Sequence, residues 1–128
     1  MEKDRKIIST ESAPQAIGPY SQAVRVGNLL FTSGMIPISP KDGKLLTGNP
    51  EMEIRLALDN LKAVIEAGGM GLGNVVKTTV YVKDLEIFSL FNSIYAEYFG
   101  EVLPARDTVQ VARLPRDASI EISAICRQ

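Results

Sequence analysis

Asn49-Pro50-Glu51-Met52-Glu53-Ile54, continuing to Gly68-Gly69 and then to Val75-Val76-Lys77-Thr78-Thr79-Val80-Tyr81-Val82-Lys83-Asp84, carries the clearest local signals in this chain. Asn49 is a helix-capping residue type, and Pro50 suits a first turn, where its missing N–H is not needed. Ile54, Leu58, Leu61 and Ile65 recur at helical spacing and form one apolar stripe, with Ala57 and Val64 beside it. Gly68-Gly69 ends the helix. The β-branched run from Val75 to Lys83 predicts a strand. Asp84 is placed to cap a second helix, Leu85 to Phe99, which Gly100 closes.

Working outward, Arg5 to Ser9 reads as a short strand. Thr10 to Gln22 is punctuated by Pro14, Gly18 and Pro19 and reads as an ordered loop. Ala23 to Val26 and Leu29 to Ser33 flank Gly27-Asn28, a hairpin turn. Gly34, Pro37, Pro40 and Asp42-Gly43 mark another loop. Towards the C-terminus, Thr108 to Ala112 and Ser119 to Cys126 read as strands joined through Pro115. The principal order is β-β-α-β-α-β-β, which predicts an α+β fold with a mixed sheet and both helices on one face. Val76, Thr78, Val80 and Val82 alternate with Val75, Lys77, Thr79 and Tyr81. The second set is only partly polar, so the helix-free face is expected to be buried against another subunit rather than merely solvated.

At 128 residues the chain is expected to form a single domain, 1–128. Apolar residues make up 45% and charged residues 23%, which is ordinary for a globular protein. A net charge of −1 gives no bulk electrostatic reason to expect nucleic-acid or membrane binding. Cys126 is the single cysteine, so no intrachain disulfide can form, and it reads as a small buried hydrophobe. No histidine and no tight acidic cluster are present, so a metal site is not expected. Met1 to Thr10 lacks the apolar stretch of a signal peptide, and no run nears the ~20 apolar residues of a membrane span. A cytoplasmic location is expected.

Without histidine, acid–base work falls to carboxylates, Lys, Tyr, Cys126 or water. Arg106, at the head of one strand-like run, suits bidentate carboxylate recognition. Glu121, set between Ile120 and Ile122 in the next, projects to the face opposite them, with Ser119 and Ser123. Together they would make a complete small site; the plainer alternative is a solvated residue in each case. Asn92 interrupts the apolar series Leu85, Phe88, Ala96 and Phe99 and needs buried partners, whether a ligand or a nearby backbone group. Tyr20 and Ser33 lie in Gly-containing stretches that allow close approach. Gly68-Gly69 and Gly71-x-Gly73 are not phosphate loops, because no Lys-Ser/Thr follows.

Taken together, Ala16-Ile17-Gly18-Pro19-Tyr20, Thr32-Ser33-Gly34, Leu58-Asp59-Asn60-Leu61, the run Val76 to Leu85, Pro104-Ala105-Arg106, Val111-Ala112-Arg113-Leu114-Pro115 and Ile120-Glu121-Ile122 resemble the RidA branch of the Rid (YjgF) family. The resemblance spans essentially the whole chain. It implies a chorismate-mutase-like subunit in a homotrimeric barrel, with sites in clefts between subunits. It also implies hydrolysis of 2-imino acids such as 2-iminobutanoate and 2-iminopropanoate to 2-oxoacids and ammonia, without a cofactor. Tyr20, Ser33, Asn92, Arg106 and Glu121 match family site positions. In that frame Arg106 clamps the substrate carboxylate with the Thr108 N–H as a further donor, Tyr20 and Ser33 meet the imine end, Glu121 activates water, and Asn92 orients the water or the leaving amine. Three positions depart from many members: Thr108 replaces Cys, Met35 replaces Gln, and Ser123 replaces an acidic residue. Thr108 points to chemistry through water, not through a thiol. The rival readings are a non-catalytic 2-oxoacid sensor and an RNA-acting translation inhibitor.

Overall fold

The computed structural model describes residues 4–128. The elements, in chain order, are β1 (Arg5–Ile8), β2 (Ala23–Val26), β3 (Leu29–Thr32), α1 (Pro50–Ala67), β4 (Val75–Val82), α2 (Phe88–Phe99), β5 (Ala105–Gln110) and β6 (Ile120–Arg127). The short strand at Arg5 joins the expected order at its N-terminal end. The six strands form one sheet in the order β1-β2-β3-β6-β4-β5. Only the β4–β5 pair is parallel, and it is linked through α2. Among the described residues no helix is long and apolar enough to cross a membrane.

α1 forms as its sequence predicts. Asn49 Oδ1 accepts the Met52 N–H at 3.1 Å, and Glu53 Oε2 accepts the Asn49 N–H at 2.8 Å, a reciprocal capping box with the acid one residue later than usual. Ile54, Ala57, Leu58, Leu61, Val64 and Ile65 are all buried. Gly68 caps the C-terminus where the helix meets β3; a Cβ there would stand 2.8 Å from the Leu30 methyls. α2 starts later than expected. Asp84 does cap, accepting the Glu86 N–H at 2.9 Å, but Leu85–Ile87 forms a 3₁₀ turn before the α-helix begins at Phe88. Phe91, Ile94, Tyr95 and Phe99 form its packed stripe. The apolar series expected around Asn92 is therefore displaced: Leu85 and Phe88 are exposed, and Asn92 lies at the margin of the packed stripe.

β4 corrects the expected alternation. The register against β6 shifts between Val75 and Lys77, a bulge that adds one residue and changes the phase of the strand. Val75, Thr78, Val80 and Val82 face the core, while Val76 is 47% exposed. The helix-free face carries an apolar row across four strands: Ile7 pairs with Val24, Val24 with Phe31, and Phe31 with Ile125. Ile7, Phe31 and Ile125 are exposed there. Cys126 is fully buried on the helix side, and burial pushes its thiol up to about 11.

Candidate active site in two halves

Glu121 sits on β6 opposite Tyr81 of β4, on the helix-free face, as its position between two buried isoleucines requires. Beside it the β3–β6 ladder breaks. Phe31 pairs with Ile125, but the next bridge is Met35 with Ile122, so Thr32-Ser33-Gly34 bows away from β6 while Thr32 stays paired with Ala23 of β2. Thr32 Oγ1 accepts the orphaned Ala124 N–H at 3.0 Å. The bow opens a cleft of about 620 Å³ lined by Tyr20, Ser33, Gly34, Met35, Arg116 and Glu121, among others. Half-burial pushes the Glu121 carboxyl above the usual carboxylate range, through desolvation alone. Ser33 Oγ donates to Ser21 O at 2.6 Å, which leaves its oxygen free to accept. Tyr20 is 53% exposed, and its hydroxyl accepts the Ile17 N–H at 3.4 Å.

Arg106 occupies a second centre. On β5 it pairs with Thr78, whose side chain faces the helices, so Arg106 shares that face. Its guanidinium lies 4.8 Å from the Tyr95 ring centroid, 5.4 Å from Phe91 and 5.6 Å from Phe88. Three π-faces hold the cation without consuming its N–H donors. Tyr95 is held in turn by a 2.8 Å hydrogen bond to Thr78 Oγ1, and burial raises its phenol further from ionisation. Asn92 Oδ1 and Thr108 Oγ1 are buried and have no hydrogen-bond partner among the described residues. β5 is an edge strand. The Val111 N–H donates inward to Val82 O. Alternating back along β5, the Thr108 N–H points to the open edge.

Within one subunit the register keeps Arg106 and Glu121 apart. β4 lies between their strands. Arg106 pairs with Thr78 and Glu121 with Tyr81, three residues apart and therefore on opposite faces. Arg106 and Thr108 share one face of β5, with Asn92 on α2; Tyr20, Ser33 and Glu121 line the cleft.

Two features of the cleft escaped the sequence reading. Gly34 serves a neighbour within the chain: a Cβ there would stand 2.4 Å from Glu121 Oε2. Arg116 lines the same cleft, in the left-handed region at φ 57°, and donates through Nη1 to Gly43 O at 3.0 Å. The Gly in Thr32-Ser33-Gly34 signalled close approach without naming the partner, and nothing in Leu114-Pro115-Arg116 signalled a cleft residue.

A mixed six-stranded sheet with two helices on one face is an α+β architecture, and the solved structures it resembles belong to the YjgF/L-PSP class. The family model described as Endoribonuclease L-PSP matches residues 10–128. The chain is 50% identical over 123 residues to the Escherichia coli 2-iminobutanoate/2-iminopropanoate deaminase, covering 94% of this chain and 95% of that protein. It is 52% identical over 121 residues to a RutC family protein of Pyrococcus horikoshii, covering 94% and 96%. Among solved structures, the E. coli YjgF gene product superposes with a TM-score of 0.91 at 49% identity, covering 96% of this chain and 98% of that one. E. coli TdcF with bound serine gives 0.91 at 44% identity, with the same coverage. The chain belongs to the Rid (YjgF) family, in its RidA branch.

Proposed function

We propose that this protein is a 2-imino acid deaminase that works as a homotrimer, with each site built from the Arg106 half of one subunit and the Glu121 half of a neighbour. The separation of the two halves onto opposite sheet faces carries this reading. Each half has unspent chemistry: a guanidinium held only by ring faces, two orphaned oxygens and an unpaired, desolvated carboxylate. The apolar row on the helix-free face and the open edge of β5 give a second copy surfaces to cover.

In the reaction, Arg106 and the Thr108 N–H of one subunit bind the carboxylate of a protonated 2-imino acid. Tyr20 and Ser33 of the neighbour flank the imine end, where Ser33 Oγ accepts an N–H because its own proton is committed to Ser21 O. Glu121 takes a proton from water as the water oxygen bonds to the imine carbon. The resulting carbinolamine receives that proton on nitrogen; as the C–N bond breaks, Glu121 takes the hydroxyl proton, the carbonyl forms, and that proton leaves with the ammonia as ammonium beside the 2-oxoacid. Asn92 Oδ1 accepts from the water or the departing amine. A protonated imine is already electrophilic, so no cofactor takes part. A positioned acid–base group contributes ~10²–10⁴-fold, enough for a reaction that also proceeds unaided in water. A cytoplasmic setting beside dehydratases that release such imines fits this role.

The test is ammonia release from enzymatically generated 2-iminobutanoate. Wild type should accelerate it, and Arg106→Ala should not. The serine bound by TdcF favours one rival, a ligand-binding protein without turnover. Calorimetric binding of 2-oxobutanoate with no accelerated ammonia release would select that rival.

A further inference from the structure

Asn60 is 1% exposed, in the middle of α1 and between the buried Ala57, Leu61 and Val64. A polar side chain at that depth is costly unless its groups are bonded. Its Nδ2 donates to Ile36 O at 3.1 Å and to Ile38 O at 2.9 Å. The segment it grips has no continuous ladder of its own. Met35 exchanges two hydrogen bonds with Ile122, at 2.8 and 3.0 Å, and Ile38 forms an isolated bridge to Leu45. The same segment begins with Gly34, which packs on the Glu121 carboxylate, and its residues 34–36 and 38 wall the cleft.

We infer that Asn60 is a positioning residue for this cleft: by holding the Ile36 and Ile38 carbonyls it keeps the Gly34–Ile38 wall pressed against Glu121 and keeps water from one side of that carboxylate. The inference deepens the proposed reaction through Glu121, but its geometry does not depend on the substrate. The titratable or charged groups near Glu121 are Tyr20 and Arg116 in the cleft and Tyr81 beside it on β4. None of them is moved directly by a change at Asn60.

The experiment is a ¹³C NMR titration of the Glu121 side-chain carboxyl in wild type, Asn60→Leu and Asn60→Ser. Leucine keeps the volume and removes both donors; serine is read if the leucine variant does not fold. Glu53→Ala is the control, because it loses the α1 capping box and lowers stability without touching the wall. Loss of the donors should lower the Glu121 midpoint by about half a unit or more towards the ordinary glutamate value near 4.3. The acid limb of the imine-hydrolysis profile should move the same way, with kcat down about 3- to 10-fold and KM changed less than about 2-fold. Glu53→Ala should leave the midpoint in place. A folded Asn60 variant with an unmoved Glu121 midpoint overturns the inference, and so does an equal shift in Glu53→Ala. A shifted midpoint in a protein that hydrolyses no imine supports the positioning role and refutes the deaminase reading.

Discussion

Gly34 and Glu121 are packed so closely that a single methyl group at position 34 would lie 2.4 Å from Glu121 Oε2 and 2.5 Å from its Cδ. Glycine here is a spatial requirement and not a conformational one. It lets the bowed backbone after β3 serve as the floor on which the carboxylate rests.

Gly34→Ala should therefore displace Glu121 rather than unfold the protein, because the clashing atoms are the end of a flexible side chain. Imine hydrolysis should fall by about one to two decades, the loss expected when an acid–base group is misplaced. Steady-state kinetics and a melting curve on the same sample would check this. Unchanged kcat would show that Glu121 does not act from this position.

Glu121→Gln separates stability from activity. Burial raises the folded-state pKa of Glu121, so the folded chain holds that proton more tightly than the unfolded chain. Its contribution is complete below the unfolded value and is lost as pH rises through the folded value. At pH 7 wild type bears the desolvated charge, and the Glu121→Gln variant does not. The variant should therefore melt at a higher temperature at pH 7, with the advantage shrinking as pH falls through the raised folded-state value towards the unfolded one, while hydrolysis falls at least tenfold. Thermal denaturation across pH 4–8, with activity alongside, tests both halves.

Arg106→Ala should remove the carboxylate contact and weaken 2-oxobutanoate binding by one to two decades, matching roughly 1.5–3 kcal/mol for a hydrogen bond to a charged group. Arg106→Lys should recover little, because an ammonium lacks the planar fork and stacks less well on Phe88, Phe91 and Tyr95. Titration calorimetry on the three proteins reads this directly.

Mixing tests the shared site. Arg106→Ala and Glu121→Gln proteins, each inactive alone, should regain about a quarter of wild-type activity when unfolded together, mixed equally and reassembled, since a random trimer pairs an intact Arg106 half with an intact Glu121 half that often. No recovery in a mixed oligomer would place both halves of a site in one chain.

Tyr95→Phe should cost about 1–2 kcal/mol, because Thr78 Oγ1 is fully buried and would lose its 2.8 Å partner. A fall in Tm on the order of 5 °C is expected for a domain of this size. Binding of 2-oxobutanoate should weaken less than in Arg106→Ala, since the ring under the guanidinium remains.

Much of the fold was legible because its signals are local. Asn49, the Ile54-to-Ile65 stripe and Gly68 act within a few residues of themselves, and α1 follows them closely. Glu121 likewise faces away from Ile120 and Ile122 as strand geometry demands. The start of α2 and the phase of β4 depart from the sequence pattern for one shared physical reason. A 3₁₀ turn and a bulge each offset the periodicity by a fraction of a repeat, and no residue type in Leu85–Ile87 or Val75-Val76 requires it.

What the sequence alone determined is the inventory: no histidine, one arginine at a strand head, one glutamate between isoleucines, and the ordered motifs that mark the family. Those are properties of residues and their neighbours along the chain. The tertiary structure decided which of them meet. Inserting β6 between β3 and β4 and leaving β5 at the edge sends Arg106 and Glu121 to opposite faces. Strand order and face parity depend on long-range pairing, which no local pattern encodes. For that reason two residues on adjacent strand-like runs of the sequence stand on opposite faces of the sheet in the fold.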